Sequence, residues 1–472
     1  MDIENKTPIH VGLFGHIDSG KTAVASVLSE VISTAGIDAH PQSQERGITI
    51  DLGFTSFVIE DYLITLVDGP GHADLIKISA SSVEIIDCAL LVIDITKGPQ
   101  VQTGEHLIMI ESLNINKLIV VLNKTDLFKG DLKEEIKKTR NFFSSTSFGS
   151  DDPIYLVSAK KAEGFDALRE GILQTIQSLT IERDTESSLV IPIDHHFSIK
   201  GRGPVITGTI LSGTSTLNQD VVILPPKLSG KVKNIQIFHQ NVSSAQAGDR
   251  VGINLKNIDI KKVYRGCYLT DNPEIFEFCD LMELEVKKNT LFKPEVQFGT
   301  QVHVTIGMFT TVGKIYPYYE KNGKKIQSKA KNTDTHFKAF LWLNEMTLLR
   351  KNNPKILLSR LDLPPTTLRI LGAAEVLQMH FEPPLLHKYK VKRGQVKNPS
   401  HSQGIVCTGL AQSYEGAKRI VGRSLESPYT KIIDTFGTKG AVIVGIEKGN
   451  HKVNIGEPVI LKELRSFPLK KI

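Results

Sequence analysis

The chain has 472 residues and a formal net charge of +6, a length that argues against a single core and a charge too small by itself to mark a polyanion partner. With 40% hydrophobic and 23% charged residues it reads as globular and not disordered. Cys88, Cys267, Cys279 and Cys407 never form a C-x-x-C pair, which argues against a zinc ribbon or a disulfide framework and fits a reducing compartment.

Residues 1–180 alternate short apolar runs with helical patterns. VGLF, YLITLV, CALLVI, KLIVVL and IYLV read as buried strands. Thr22 to Ser33, Ala73 to Ile86, Gly104 to Leu113, Leu132 to Phe143 and Phe165 to Leu179 read as helices, since apolar residues recur every three or four positions. This order predicts a mostly parallel sheet with helices on both faces, an α/β domain. GFTSFVIED followed by YLITLVD predicts an antiparallel hairpin at one edge.

ERDTESS reads as a linker, and beyond it β-rich runs recur between Gly and Pro turns. The expectation is a small β-barrel over residues 187–271 and a second over 272–385, the latter interrupted by an exposed loop, EKNGKKIQSKAKNTDTH. Residues 386–472 predict a third barrel, because FGTKGAVIVGIEKG echoes FSIKGRGPVITGTILSG. From His387 onward 16 Lys and Arg stand against 6 Asp and Glu, while the rest of the chain is slightly acidic. A basic tail on an acidic body points to a nucleic-acid contact through that last domain. The start, MDIENKTPIH, lacks a basic or apolar leader and no apolar run approaches a membrane span, so a cytoplasmic protein without a membrane contact is expected.

Gly15 to Thr22, GHIDSGKT, fits G-x-x-x-x-G-K-[ST] between a strand and a helix. In that setting the backbone of Asp18, Ser19, Gly20, Lys21, Thr22 and Ala23 surrounds phosphates, Lys21 neutralises them and the Thr22 hydroxyl binds Mg²⁺. Asp68-Gly69-Pro70-Gly71 ends YLITLV, where Asp68 can reach the metal through water and the Gly71 N–H the γ-phosphate. Asn123-Lys124-Thr125-Asp126 ends KLIVVL, and Asp126 would accept from N1 and N2 of a guanine. Ser158-Ala159-Lys160 ends IYLV and offers a backbone N–H to O6. All lie at the C-terminal ends of predicted strands, where open α/β sheets bind ligands, so the substrate is GTP, with GDP as product.

The order GHIDSGKT, RGITI, DGPGH, NKTD, SAK resembles the translational GTPases of the elongation factor Tu class. The resemblance implies that Thr49 caps Mg²⁺ and senses the γ-phosphate. It implies that His72 positions the attacking water once the ribosome orders the site, so that GTP hydrolysis is slow in its absence. FSIKGRGPVITGTILSG and the turn Gly248 to Gly252 resemble the second-domain region where the aminoacyl end of tRNA docks, which implies a pocket of Asp194, His195, Phe197 and Arg250.

His195 and Arg250 stand where ordinary members carry acidic or amide residues, so the pocket is expected to favour an anionic selenolate over neutral serine. PQSQERGITIDLGF and IIDCALLVIDITKGPQVQTGEHL are similar to the selenocysteine-specific elongation factors of the archaeal and eukaryotic type. That family implies a monomer that carries selenocysteinyl-tRNA to a ribosome at UGA, with the fourth domain touching a selenocysteine insertion hairpin or a protein bound to it. A gamma subunit of initiation factor 2, a general aminoacyl-tRNA factor and a GTP-switched scaffold without hydrolysis are the rival readings.

Overall fold

A computed structural model describes residues 6–29, 31–32, 53–68, 85–112, 114–144, 146, 148, 152–201, 203–352, 354–447 and 453–471. By contacts the chain divides into two units, residues 1–317 with 329–381, and residues 318–328 with 382–472.

The first unit begins with a seven-stranded sheet made of β1 (Thr7–Phe14), β2 (Val31–Ile32), β3 (Gly53–Ile59), β4 (Tyr62–Asp68), β5 (Cys88–Asp94), β6 (Leu118–Asn123) and β7 (Ile154–Leu156). The spatial order is β2-β3-β4-β1-β5-β6-β7. Strands β4, β1, β5, β6 and β7 run parallel, and β3 pairs antiparallel with β4 as the edge hairpin the sequence predicts. Strands β1 and β5 are buried almost throughout, because helices on both faces leave no solvated side.

The helices Leu132–Phe143 and Phe165–Gln177 follow the apolar spacing of the sequence. The first helix does not. It runs over Lys21–Leu28 and stops well short of Ser33, and Val31–Ile32 instead pairs with β3. Two β-branched residues in succession favour that edge pairing over another helical turn.

Two closed six-stranded barrels follow. The first joins Val190–Ile199, Gly203–Thr209, Asp220–Leu224, Leu228–Ile237, Arg250–Lys256 and Tyr268–Thr270, closed by pairing of Asp220–Leu224 with Leu228–Ile237. The second uses Phe276–Lys288, Thr300–Ile306, Phe309–Lys321, His336–Arg350, Ile356–Ser359 and Ile370–His380, closed by pairing of Thr300–Ile306 with Phe309–Lys321. Met308, Leu357 and Ile370 from this barrel share a core with Leu107, Ile108 and Ile110 of the helix Val101–Ser112. The nucleotide sheet is therefore packed against the second barrel by one helix.

The Lys-rich stretch read as a loop is partly a hairpin. Tyr318 to Lys321 pairs with Lys324–Gln327 across Asn322 and Gly323, both at positive φ. Asn-Gly is the dipeptide that the tight hairpin turn requires, and its signal is masked in the sequence by the surrounding lysines.

The second unit holds the strands Leu385–His401, Gly404–Thr408, Tyr429–Phe436, Ala441–Ile446 and Pro458–Pro468, with a short helix at Tyr414–Lys418. Its core gathers Val396, Cys407, Ile432, Val444, Val459 and Leu461. The echo with the first barrel proves to be a shared hairpin, Tyr429–Phe436 with Ala441–Ile446. Among the described residues no strand ladder closes this sheet, but residues 422–426 bridge its edges: Ser424 pairs with Lys431 of one edge strand, and the Glu426 N–H reaches the Ile460 carbonyl of the other at 3.0 Å.

Candidate functional site

Strand β1 delivers the chain into a loop that only glycine can complete. Gly15 and Gly20 hold positive φ, a Cβ on Gly15 would collide with the Val92 carbonyl, and one on Gly20 with Asn123 Nδ2. Asp18 is exposed, also at positive φ, and Ser19 is buried with an Oγ that has no partner among the described residues. The helix starts at Lys21, so Thr22 and Ala23 occupy its first turn, where unpaired N–H groups attract anions. Lys21 Nζ lies 3.1 Å from the Gly15 carbonyl and 3.2 Å from that of His16, folded back over the loop. Thr22 Oγ1 donates to Asp68 Oδ2 at 2.8 Å.

A cradle that excludes Cβ atoms, a lysine, a helix N-terminus and an orphaned Ser19 hydroxyl together fit a chain of phosphates. Thr22 and Asp68 juxtapose two oxygen donors of the kind Mg²⁺ prefers, and phosphate and water would complete its shell. Among the described residues no cluster of three His, Cys, Asp or Glu competes for a metal. Thr49, Gly71 and His72 lie outside the described residues.

The base-recognition loops are tied to this cradle. Asn123 Nδ2 donates to the Ser19 carbonyl at 3.0 Å, and Asn123 Oδ1 accepts from the Ala159 N–H at 3.1 Å. The Ala159 N–H, one of the three that the sequence offers to guanine O6, is thus bonded to Asn123 in this structure. Ser158 Oγ donates to Asp126 Oδ1 at 2.7 Å and orients that carboxylate. Lys124 pairs with Asp94 at 2.8 Å, while Lys160 is exposed. Burial opposes ionisation of Asp94, but hydrogen bonds from Lys124 and Thr96 outweigh it and hold the carboxyl below its ordinary range. Asp94 ends β5 as Asp68 ends β4, and that shared position is the only sequence signal for it.

The second group of residues meets in the first barrel. A bulge between Ile193 and His195 shifts the register, which lets the consecutive residues Asp194 and His195 address one cluster. Arg250 Nη1 and Nη2 donate to Asp194 at 2.6 and 3.2 Å, and Thr207 Oγ1 and His195 Nδ1 also meet Asp194 Oδ1. Burial works against the Asp194 charge, yet Arg250 and His195 more than offset it, so the carboxyl is held far below its usual range. Beneath the guanidinium lies Phe54 of β3, with Arg250 Cζ 3.2 Å from the ring centroid and His195 edge-on at 6.3 Å. Sequence reasoning missed Phe54, since a phenylalanine in a strand reads as core.

Phe197 and Arg250 line a cavity of about 90 Å³ together with Ile199, Val205, Thr207 and His239. Asp194 and His195 do not; they stand behind Arg250. The cationic pocket expected from the sequence is therefore a guanidinium already paired with a buried carboxylate. That pairing takes one N–H from each of two nitrogens in a fork that has five.

Three known families match the chain in succession. The Elongation factor Tu GTP binding domain matches residues 6–178, Elongation factor Tu domain 2 matches 203–270, and the Archaeal selenocysteine-specific elongation factor domain III matches 276–380. The chain is 42% identical to the selenocysteine-specific elongation factor of Methanocaldococcus jannaschii over 99% of both chains. It is 41% identical to that of Mus musculus over 65% of this chain and 56% of the mouse one. The solved structure of translation elongation factor SelB from Methanococcus maripaludis with the GTP analogue GppNHp superposes with a TM-score of 0.82 at 35% identity, covering 98% of this chain and 99% of that one.

Proposed function

The chain belongs to the archaeal-type selenocysteine-specific elongation factors, GTP-binding translation factors of the elongation factor Tu class, and from that membership we propose how its own residues carry the cycle. Asp18 to Ala23 hold the phosphates, Asp126 reads the guanine edge, Asn123 fastens that reader to the phosphate loop, and Lys124, held by Asp94 at the end of β5, lies beside it. Thr22, Thr49 and, through water, Asp68 would hold Mg²⁺, which when bound would offset the charge of the phosphates. Gly71 offers its N–H to the γ-phosphate and His72 orients the water that attacks it. Transfer to water needs positioning and charge stabilisation more than a strong base. GTP hydrolysis is therefore slow until the ribosome aligns His72.

The cargo is selenocysteinyl-tRNA, delivered in the cytoplasm to a ribosome at UGA by a monomer whose basic residues 386–472 contact RNA or a protein bound to it. The observation that carries this reading is Arg250, locked by Asp194 and Phe54 while still lining the cavity. A fixed guanidinium with N–H groups left over suits a selenolate and gains much less from a serine hydroxyl. Binding of selenocysteinyl-, seryl- and cysteinyl-tRNA to the GTP form, repeated with Arg250→Ala, tests it. Preference for selenocysteine should vanish in the variant, and equal affinity for seryl-tRNA in the unmodified protein overturns the reading. Hydrolysis with and without ribosomes in His72→Ala tests the catalytic assignment.

A further inference from the structure

The helix Val101–Ser112 is buried on nearly all sides, and two of its consecutive residues carry polar chemistry in opposite directions. His106 Nδ1 accepts the N–H of Gly15, the first residue of the phosphate loop, at 3.0 Å. Its neighbour Glu105 receives Arg369 in three hydrogen bonds, from Nε and Nη2 and from the Arg369 backbone N–H, at 2.9 to 3.0 Å. Arg369 lies in the segment that matches domain III, and both members of the pair are almost wholly buried. A buried bidentate ion pair holds one geometry, because a shifted partner would leave an uncompensated charge.

The Gly15 end is equally constrained. Its N–H goes to His106, its carbonyl receives Lys21 Nζ, and any Cβ would strike β5. His106 can accept at Nδ1 only while neutral, and its surroundings, buried and beside Lys21, keep it so. Phe14, one residue before the loop, packs against the imidazole with ring centroids 5.9 Å apart. A change in the Gly15 peptide and a change at Arg369 therefore act on adjacent residues of one rigid helix.

We propose that this helix couples nucleotide retention to the seating of the domain III strand, with His106 as the residue that positions the phosphate loop. Neither His106 nor Arg369 is assigned to touch nucleotide. Separation of Arg369 from Glu105 turns the helix, removes the acceptor from Gly15 and loosens the loop that holds GDP.

The experiment follows release of a fluorescent methylanthraniloyl-GDP from the full chain. His106→Phe keeps an aromatic ring against Phe14 but offers no acceptor, and should speed release about tenfold. His106→Asn places an amide oxygen near the Nδ1 position and should return the rate to within about twofold of the parent. Arg369→Met, remote from the nucleotide, should speed release about fivefold alone and less than about twofold once His106→Phe is present. Glu105→Gln with Arg369→Met removes both charges, so it guards against misfolding and should also speed release. Normal retention of GDP in every Arg369 variant, or effects of Arg369 and His106 that multiply, overturns the coupling. The inference rests on Gly15 to Thr22 as the phosphate loop, and failure of the unmodified chain to bind GDP overturns that reading along with it.

Discussion

Arg250 lays its guanidinium 3.2 Å from the centre of the Phe54 ring, which joins the first barrel to the strand that follows Thr49 in the chain. The ring face attracts the cation and its bulk fixes the plane of the fork, a contribution of about 1 to 2 kcal/mol where water is excluded. Phe54→Leu keeps apolar volume and removes the quadrupole. Affinity for selenocysteinyl-tRNA should fall by about five- to thirtyfold on that basis, with GTP affinity unchanged. Equal losses for selenocysteinyl- and seryl-tRNA would show that Phe54 supports the barrel and not the selectivity of the pocket.

The nucleotide loops were legible because their chemistry is local: glycine spacing, a lysine, and acids and amides at strand ends. The edge hairpin of β3 and β4 was legible from period-two patterning. Phe54, Glu105 and His106 were not, since their partners Arg250, Arg369 and Gly15 lie 91 to 264 positions away. One signal existed. GEHLIMI places an acid and a histidine directly before a run of four apolar residues, and a charge there must find a partner if the helix is buried all round. The pairing of Arg250 with Asp194 was hidden for a different reason, because it depends on a bulge that period-two reading cannot place.

Stability should decline between about pH 6.5 and 4. His10 is buried and donates Nε2–H to the Gly248 carbonyl, and burial lowers its pKa from 6.5 to about 4. His106 is lowered from 6.5 to about 3, again by burial first. Both take up a proton more readily when unfolded, so acid in this window favours unfolding, with a slope of about 1.4 kcal/mol per pH unit for each. Asp194 has the depressed pKa of a paired carboxylate, and its contribution is lost only at lower pH. Urea midpoints at successive pH values should show a shallower slope in His10→Gln, whose amide can still reach Gly248. An unchanged slope would remove His10 as a titrating group.

Thr22 and Asp68 face each other at 2.8 Å, so the metal dependence of nucleotide binding should reside in this pair. Thr22→Val keeps shape and deletes the donor oxygen. GTP affinity in millimolar Mg²⁺ should drop at least about tenfold, and chelation with EDTA should weaken the variant far less than the parent. If the variant keeps the parental response to EDTA, the metal lies elsewhere.

The basic tail contains an organised face. Glu463 is nearly buried and holds Lys392, Arg423 and Arg465 within 3.4 Å, so these cations are fixed and partly neutralised. Lys390 pairs opposite Glu463 and Lys388 opposite Arg465 in the ladder, and both lysines are exposed. Alternate residues of a strand share a face, which places Lys388, Lys390 and Lys392 in one row. The two exposed lysines, Lys388 resting over the Phe467 ring at 5.1 Å, are the ones of this row placed to displace counterions from an RNA backbone. Replacing both by alanine in the full chain should weaken RNA binding and reduce the slope of log affinity against log salt by about 1.5 to 2. Lys439, near the turn after Tyr429–Phe436, serves as the control. If Lys439→Ala lowers the slope as much as the double variant does, the attraction is diffuse and this row is not the contact.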